Sequence, residues 1–265
     1  MRLAVCEAPP RLLAGDSSWR QLTERVKALS PDILLLNEMP FGQWVSVGPD
    51  RDDRQLLESR RLHEDGIAHL AELGALHVLG TQPVLENGRS VNRAYAWNAV
   101  SGFSPVHTKQ FFPNEGGFYE ARWFERGTLR FGIADAGGLN VGFLICTDVM
   151  FNEWTRYYGR RGAHLIAVPR ATPVGSEKRW KTMMSAAAIV SGCYVASSNR
   201  RGRDDSGLEF AGGGWIFDPF GDLIAETSVE EHVVAVKVDL DMAARAQREY
   251  PCYVEDISPR AEGDG

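Results

Sequence analysis

Strand-like and helix-like segments alternate along this chain without a linker between them, and that alternation constrains its fold more than any other feature. Short apolar runs of strand length recur over 2–7, 33–36, 76–83, 93–100, 139–145, 164–169, 193–198, 214–217, 223–226 and 233–238, with 103–110 extended. Between them lie apolar residues at helical spacing: Trp19, Leu22, Val26 and Leu29 behind a Ser18-x-x-Gln21 capping-box pattern, then Trp180, Met183, Met184, Ala187 and Ala188. Further helices are predicted over 54–73 and 151–161, a hairpin at Asn87-Gly88, and a loop rich in Gly and aromatics over 112–127. Mixed strands with interleaved helices imply an α/β layered fold, whose ligand sites gather at strand ends. With no repeat or low-complexity block, residues 1–265 read as one domain with a C-terminal extension from about 251.

Composition removes several function classes. Lys and Arg total 29 against 35 Asp and Glu, with no basic stripe to follow phosphates, so nucleic acid is not an expected partner. The chain starts directly in strand-like sequence, and none of its apolar stretches reaches the roughly 18 residues of a membrane span. A soluble, cytoplasmic protein is expected. The cysteines at 6, 146, 193 and 252 are too scattered for a disulfide framework and form no C-x-x-C pair. Cys6, Cys193 and Cys252 read as small buried hydrophobes. The histidines lack metal-ligand spacing, so neither a metal nor another cofactor is expected.

Three ionisable residues stand where apolar runs end: Glu38 after Ile-Leu-Leu-Leu, Lys109 after Pro-Val-His-Thr, and Cys146 after Val-Gly-Phe-Leu-Ile. A free thiol is mostly protonated at neutral pH, so a nucleophilic cysteine needs a cation, a helix N-terminus or a base nearby. The helix over 151–161, Lys109 and Glu38 supply all three if the strand ends converge. That arrangement predicts a thiolate-like, accessible Cys146. Taken singly, each residue reads as packing, a solvated lysine or a helix cap; together they read as a catalytic set.

The segments Leu-Leu-Leu-Asn-Glu38-Met-Pro, His-Thr-Lys109-Gln-Phe-Phe-Pro and Gly-Phe-Leu-Ile-Cys146-Thr-Asp resemble the Glu, Lys and Cys signature of the nitrilase superfamily of carbon-nitrogen hydrolases. The later stretches Ser191-Gly-Cys-Tyr-Val-Ala-Ser-Ser-Asn-Arg200 and Gly214-Trp-Ile-Phe-Asp-Pro-Phe-Gly221 are similar to further landmarks of that family. The resemblance implies a four-layer α-β-β-α sandwich and a homodimer or higher homo-oligomer. It also implies a second glutamate at the site, which context places at Glu120, with Glu115 competing.

In the chemistry this resemblance implies, Cys146 attacks a carbonyl carbon, Lys109 and the backbone N–H of Thr147 meet the oxyanion, and Glu38 shuttles protons. Glu120 holds Lys109 or the substrate nitrogen in place. Nitrilases typically carry Trp after the nucleophile; Thr147 here favours a small carboxamide or N-carbamoyl substrate. Asp148 reads as a structural acceptor for backbone groups. Carbamoylases place arginines shortly after the cysteine, where this chain has Val149 to Asn152, leaving Arg170 as the candidate for a substrate carboxylate, or else a surface residue. Tyr119 and Trp154, with Phe112, Phe118 and Trp123, either line an apolar pocket or pack in the core. The expected function is a thiol amidohydrolase. Rival readings are a nitrilase, an acyltransferase, and a catalytically idle small-amide binder.

Overall fold

Period-two burial sets the architecture. The computed structural model describes residues 1–257, so 258–265 of the expected C-terminal extension lie outside the described residues. Strands β1 (Arg2–Ala8) and β2 (Ile33–Leu35) send Leu3, Val5, Ile33 and Leu35 into one apolar core, and Ala4, Cys6 and Leu34 into another. Strands buried on both faces must lie between two layers. The second core is closed by Trp19, Leu22 and Val26 of helix α1 (Ser17–Leu29), beside helix α2 (Asp53–Ala68).

Strands β1 and β2 belong to a half-sheet completed by β3 (His77–Glu86), β4 (Arg89–Asn98), β5 (Gly102–Thr108) and β13 (Val233–Lys237). The other half holds β6 (Ile133–Asp135), β7 (Asn140–Phe143), β8 (Leu165–Pro169), β9 (Tyr194–Arg203), β11 (Trp215–Phe217) and β12 (Leu223–Glu226), with β10 (Glu209–Ala211) as a hairpin partner of β9. Val141, Phe143, Leu165 and Ala167 of this half share the inner core with Leu3, Val5, Ile33 and Leu35. Its outer face is covered by α4 (Asn152–Arg160) and α5 (Glu177–Ser191) through Tyr158, Trp180, Met184, Ala187 and Ala188. The result is the expected α-β-β-α layering. The two halves meet where Glu7 and Ala8 pair with Asn199 and Arg200.

Local differences from the sequence-based reading have local causes. The helix predicted over 54–73 breaks at His69 into α2 and a 3-10 turn (Leu70–Leu73) ended by Gly74 at φ 76°, which buries Leu70 and Leu73 against the α1 side of the core. Strand β9 runs five residues past the predicted end at 198, because Asn199 and Arg200 are buried polar residues that an apolar pattern does not detect. The strands β6 and β10 and the helices α3 (Glu120–Trp123) and α6 (Leu240–Ala246) were not foreseen. Cys252 is only half-buried, unlike Cys6 and Cys193. Among the described residues no helix is long and apolar enough to cross a membrane.

Candidate active site

Strand direction explains why three distant residues meet. β1 is parallel to β2 and β2 to β3, and two antiparallel steps through β4 turn β5 the same way again. In the other half, β7, β8 and β9 are parallel, and β9 is parallel to β1. The C-terminal ends of β2, β5 and β7 therefore share one end of the sandwich. Glu38, Lys109 and Cys146 lie at or just beyond those ends.

Lys109 Nζ donates to Glu38 Oε1 at 2.7 Å and to Glu120 Oε2 at 2.6 Å, and all three side chains are buried. An ammonium has three N–H groups, so one remains for a ligand. Asn92 on β4 donates its side-chain amide to Glu38 Oε1 (2.8 Å), and its carbonyl accepts the Lys109 backbone N–H (2.9 Å). Glu38 Oε2 is buried with no partner, a lone pair available for a proton. Burial pulls the Lys109 ammonium down, but Glu120 and Glu38 more than offset it and the net direction is up. Burial, opposed by Lys109 and assisted by Glu38, pushes the Glu120 carboxyl up to about 8. Glu120, which opens α3, is thus the second glutamate at Lys109; Glu115 is exposed in the preceding turn.

Cys146 begins a 3-10 turn (Cys146–Met150) with φ 49°, a left-handed value rare for a residue bearing a Cβ. The strand-to-turn elbow leaves the first N–H groups of the turn, Thr147 among them, without helical partners. The expectation of a thiolate-like, accessible cysteine is corrected here. Cys146 is 4 % exposed, and burial pushes its thiol well above the ordinary range; Glu38 and Glu120 add to this, while Lys109 and the Ala171 backbone oppose it. Burial and the Glu38 carboxylate together outweigh the opposing pull of Lys109 on the thiol.

Asp148 holds the elbow to the lysine strand. Its carboxylate accepts N–H bonds from Gln110 (3.1 Å), Phe111 (2.9 Å) and Ile145 (3.2 Å) and meets His107 Nε2 at 2.9 Å, the structural acceptor role expected of it. Asn92 and His107 escaped the sequence reading. Asn92 carried a signal, since an asparagine within the strand-like run Ser-Val-Asn-Arg-Ala-Tyr is disfavoured unless its amide is used.

Two candidates are held by other parts of the protein. Arg170 is neither a free carboxylate clamp nor a surface residue: it is buried, donates to Ser197 Oγ (2.6 Å), Thr172 Oγ1 (3.0 Å) and the Gly213 carbonyl, and lies 3.8 Å from the Trp215 ring centroid. It meets the site through its carbonyl, which accepts the Glu38 N–H (3.1 Å), and through its charge, which lies within Coulombic range of Cys146. Trp154, partly buried on α4, stacks on Phe131 with ring centroids 3.9 Å apart and packs against the core. Tyr119 does belong to the aromatic group near Lys109, with Phe112, Phe118, Trp123 and Phe124, joined by Met39 and Ala171. Segment 44–48 fastens this group: Trp44 Nε1 donates to the Gly117 carbonyl, Tyr119 N–H to Ser46, and Trp123 Nε1 to Gly48.

Comparison with known proteins identifies the family. The family model for carbon-nitrogen hydrolases matches residues 66–248, a stretch that holds Lys109, Glu120 and Cys146, and the chain belongs to that family. It is 32 % identical over 209 residues to an (R)-stereoselective amidase of a Pseudomonas species, covering 72 % of this chain and 74 % of the relative. It is 33 % identical over 126 residues to the 2-oxoglutaramate amidase of Bacillus subtilis, a match that spans about half of either chain (48 %). In fold, it superposes on a carbon-nitrogen hydrolase from Helicobacter pylori with a TM-score of 0.81, at 19 % identity over 95 % of this chain and 94 % of that one. A Glu-to-Gln mutant of the amidase from Nesterenkonia sp. AN1, carrying acrylamide on its active-site cysteine, superposes with a TM-score of 0.74 at 22 % identity, covering 94 % and 98 % of the two chains.

Proposed function

We propose that the protein is a thiol amidohydrolase that cleaves the C–N bond of a small carboxamide through a thioester on Cys146. The observation that carries this reading is the buried Lys109 ammonium held between Glu38 and Glu120 beside a strained cysteine elbow. Such an array has little use except at a centre where charge develops, since burying it is costly.

Each step follows from residue chemistry. The amide carbonyl docks against the third N–H of Lys109 and the Thr147 N–H. Glu38 Oε2 takes the thiol proton as sulfur bonds to the carbonyl carbon, so ionisation coincides with attack. Collapse of the oxyanion breaks the C–N bond, and Glu38 passes its proton to the departing nitrogen, which leaves as ammonia or an amine. Water then gives a proton to Glu38 and attacks the thioester; collapse breaks the C–S bond, the proton returns to sulfur, and the acid departs. Removing one preorganised oxyanion donor costs roughly 3 to 4 kcal/mol in systems of this type. Glu120 keeps Lys109 in place through both half-reactions.

The test is ammonia release from a panel of small carboxamides paired with the corresponding nitriles, for the wild-type protein and Cys146→Ala. Amide hydrolysis that Cys146→Ala loses supports the reading. Turnover of nitriles in preference to amides makes the protein a nitrilase, and binding without turnover across the panel makes it an idle amide binder.

A further inference from the structure

The chain leaves Glu38 through a turn at Met39, whose φ of 42° places a residue with a full side chain in left-handed backbone. That conformation is sparsely populated and persists only where the surroundings over-determine it. Both polar groups of Met39 are held. Its N–H donates to Thr81 Oγ1 on β3 at 2.7 Å, and its carbonyl accepts from the Arg200 guanidinium on β9. The same guanidinium takes the carbonyls of Gly42 (3.0 Å) and Pro10, so the segments that follow β1 and β2 are tied to one side chain.

Arg200 is fully buried, and its hydrogen bonds all go to backbone carbonyls. The rings of Trp44 and Phe210 lie 5.7 and 5.8 Å from its guanidinium carbon. Although Glu38 and Asp204 lie within Coulombic range, burying a charge whose hydrogen bonds go to neutral acceptors is costly, and a core needing only volume is served better by an apolar side chain. A planar fork that reaches carbonyls from two loops does what neither an apolar residue nor a lysine can. One of the residues it holds is the one after the proposed general base.

We infer that Arg200, with Thr81, is a positioning residue that holds Met39 in its left-handed turn and thereby sets the Glu38 carboxylate against Lys109. The inference rests on the reading of Glu38 as the base. Because glycine adopts positive φ freely, Met39→Gly should make the turn independent of its two clamps.

The experiment is steady-state amide hydrolysis by Arg200→Met, Arg200→Lys and Thr81→Val, each with and without Met39→Gly, beside Glu38→Gln. Arg200→Met should lower kcat about 100-fold with KM within about threefold, the signature of a displaced reacting group. Arg200→Lys and Thr81→Val should each lose about tenfold, since one keeps the charge without the fork and the other removes a single clamp. In the Met39→Gly background these losses should shrink to about threefold or less, because the turn no longer needs holding. Folded Arg200→Met or Thr81→Val protein that keeps kcat within about threefold of wild type, or losses equal in both backgrounds, overturn the inference. If Arg200→Met does not fold, Thr81→Val, a change of hydroxyl to methyl, decides alone. An active Glu38→Gln removes the base itself, whereas inactive Glu38→Gln beside active Arg200 and Thr81 variants removes only the positioning role.

Discussion

Cys146 and Cys193 are both buried thiols in the half-sheet built from β6 to β12, and they stand at opposite ends of it. Cys193 precedes β9, is 0 % exposed and donates its S–H to the Ala163 carbonyl at 3.0 Å. Burial pushes its thiol up to about 12. Cys146, past the end of β7, is scarcely more exposed, and its thiol is also raised. Ground-state ionisation therefore does not separate the reactive candidate from the packed one. The difference lies in what faces each sulfur: neutral groups around Cys193, and around Cys146 two carboxylates, an ammonium and a left-handed elbow. Under the proposed mechanism, what sets Cys146 apart is an acceptor, Glu38, placed to take its proton during attack.

The largest effect that tests this contrast is loss of the sulfur itself. Cys146→Ala should lower amide turnover by roughly ten-thousand-fold or more with the fold intact. Cys193→Ala should keep kcat within about twofold and lose about 2 to 4 °C in Tm, as expected for a small packing defect in a chain of this size. If the two variants behave alike in the ammonia assay, the contrast between the ends is lost.

Next in size is removal of the ammonium. Lys109→Ala should abolish turnover and also cost about 3 to 5 kcal/mol of stability, because Glu38 and Glu120 are left buried without their cation. Adding Glu120→Gln to Lys109→Ala should restore part of the stability in denaturant melts and none of the activity. Full stability of Lys109→Ala alone would mean that the cluster does not carry the charges assigned to it.

The end of the sandwich where the chemistry gathers was also the end most legible in sequence. Glu38, Lys109 and Cys146 were visible because each interrupts an apolar run, and strand direction then brought them to one place. The layered fold followed from the alternation of strand and helix signals and the apolar stripe of α5, and the count of four layers from the family resemblance. What the sequence hid were buried polar groups whose partners lie far along the chain: Asn92 against Glu38, 54 residues apart, and Arg200 against Met39, 161 residues apart. Arg170 and Trp154 were misplaced for the same reason. Proximity to a strand end puts an arginine near a site, but only its partners Ser197, Thr172 and Gly213 show that three of its five N–H groups are held by the protein. The thiol's state was misread because its burial, the largest influence on it, does not show in the sequence.

A smaller effect concerns alkylation. With iodoacetamide at pH 7.5, native Cys146 should react at least about tenfold faster than Cys193, and at least about tenfold slower than a free thiol, whose thiolate fraction is larger. Its rate should still climb above pH 9, since a raised thiol pKa moves thiolate formation upward. A plateau below pH 8 would point to a thiolate at rest.

The smallest expected effect is in stability against pH. The Glu120 carboxyl is near 8 in the folded chain against an ordinary value of 4.5. A raised folded value means stability that is complete below about 4.5 and is lost as pH rises through 8. Glu120→Gln, which mimics the protonated form, should therefore show a flatter Tm profile over that window, by at least about 2 °C. Parallel profiles would place the proton elsewhere in the cluster.

The most direct measurement of the central claim is partition of the acyl group. Two amides that share an acyl group but differ in leaving amine are hydrolysed in the presence of hydroxylamine, and the ratio of hydroxamate to acid is compared. A thioester on Cys146 that Glu38 opens to water predicts the same ratio from both amides, and neither product with Cys146→Ala. Ratios that follow the leaving amine, or hydroxamate formed without the sulfur, would contradict it.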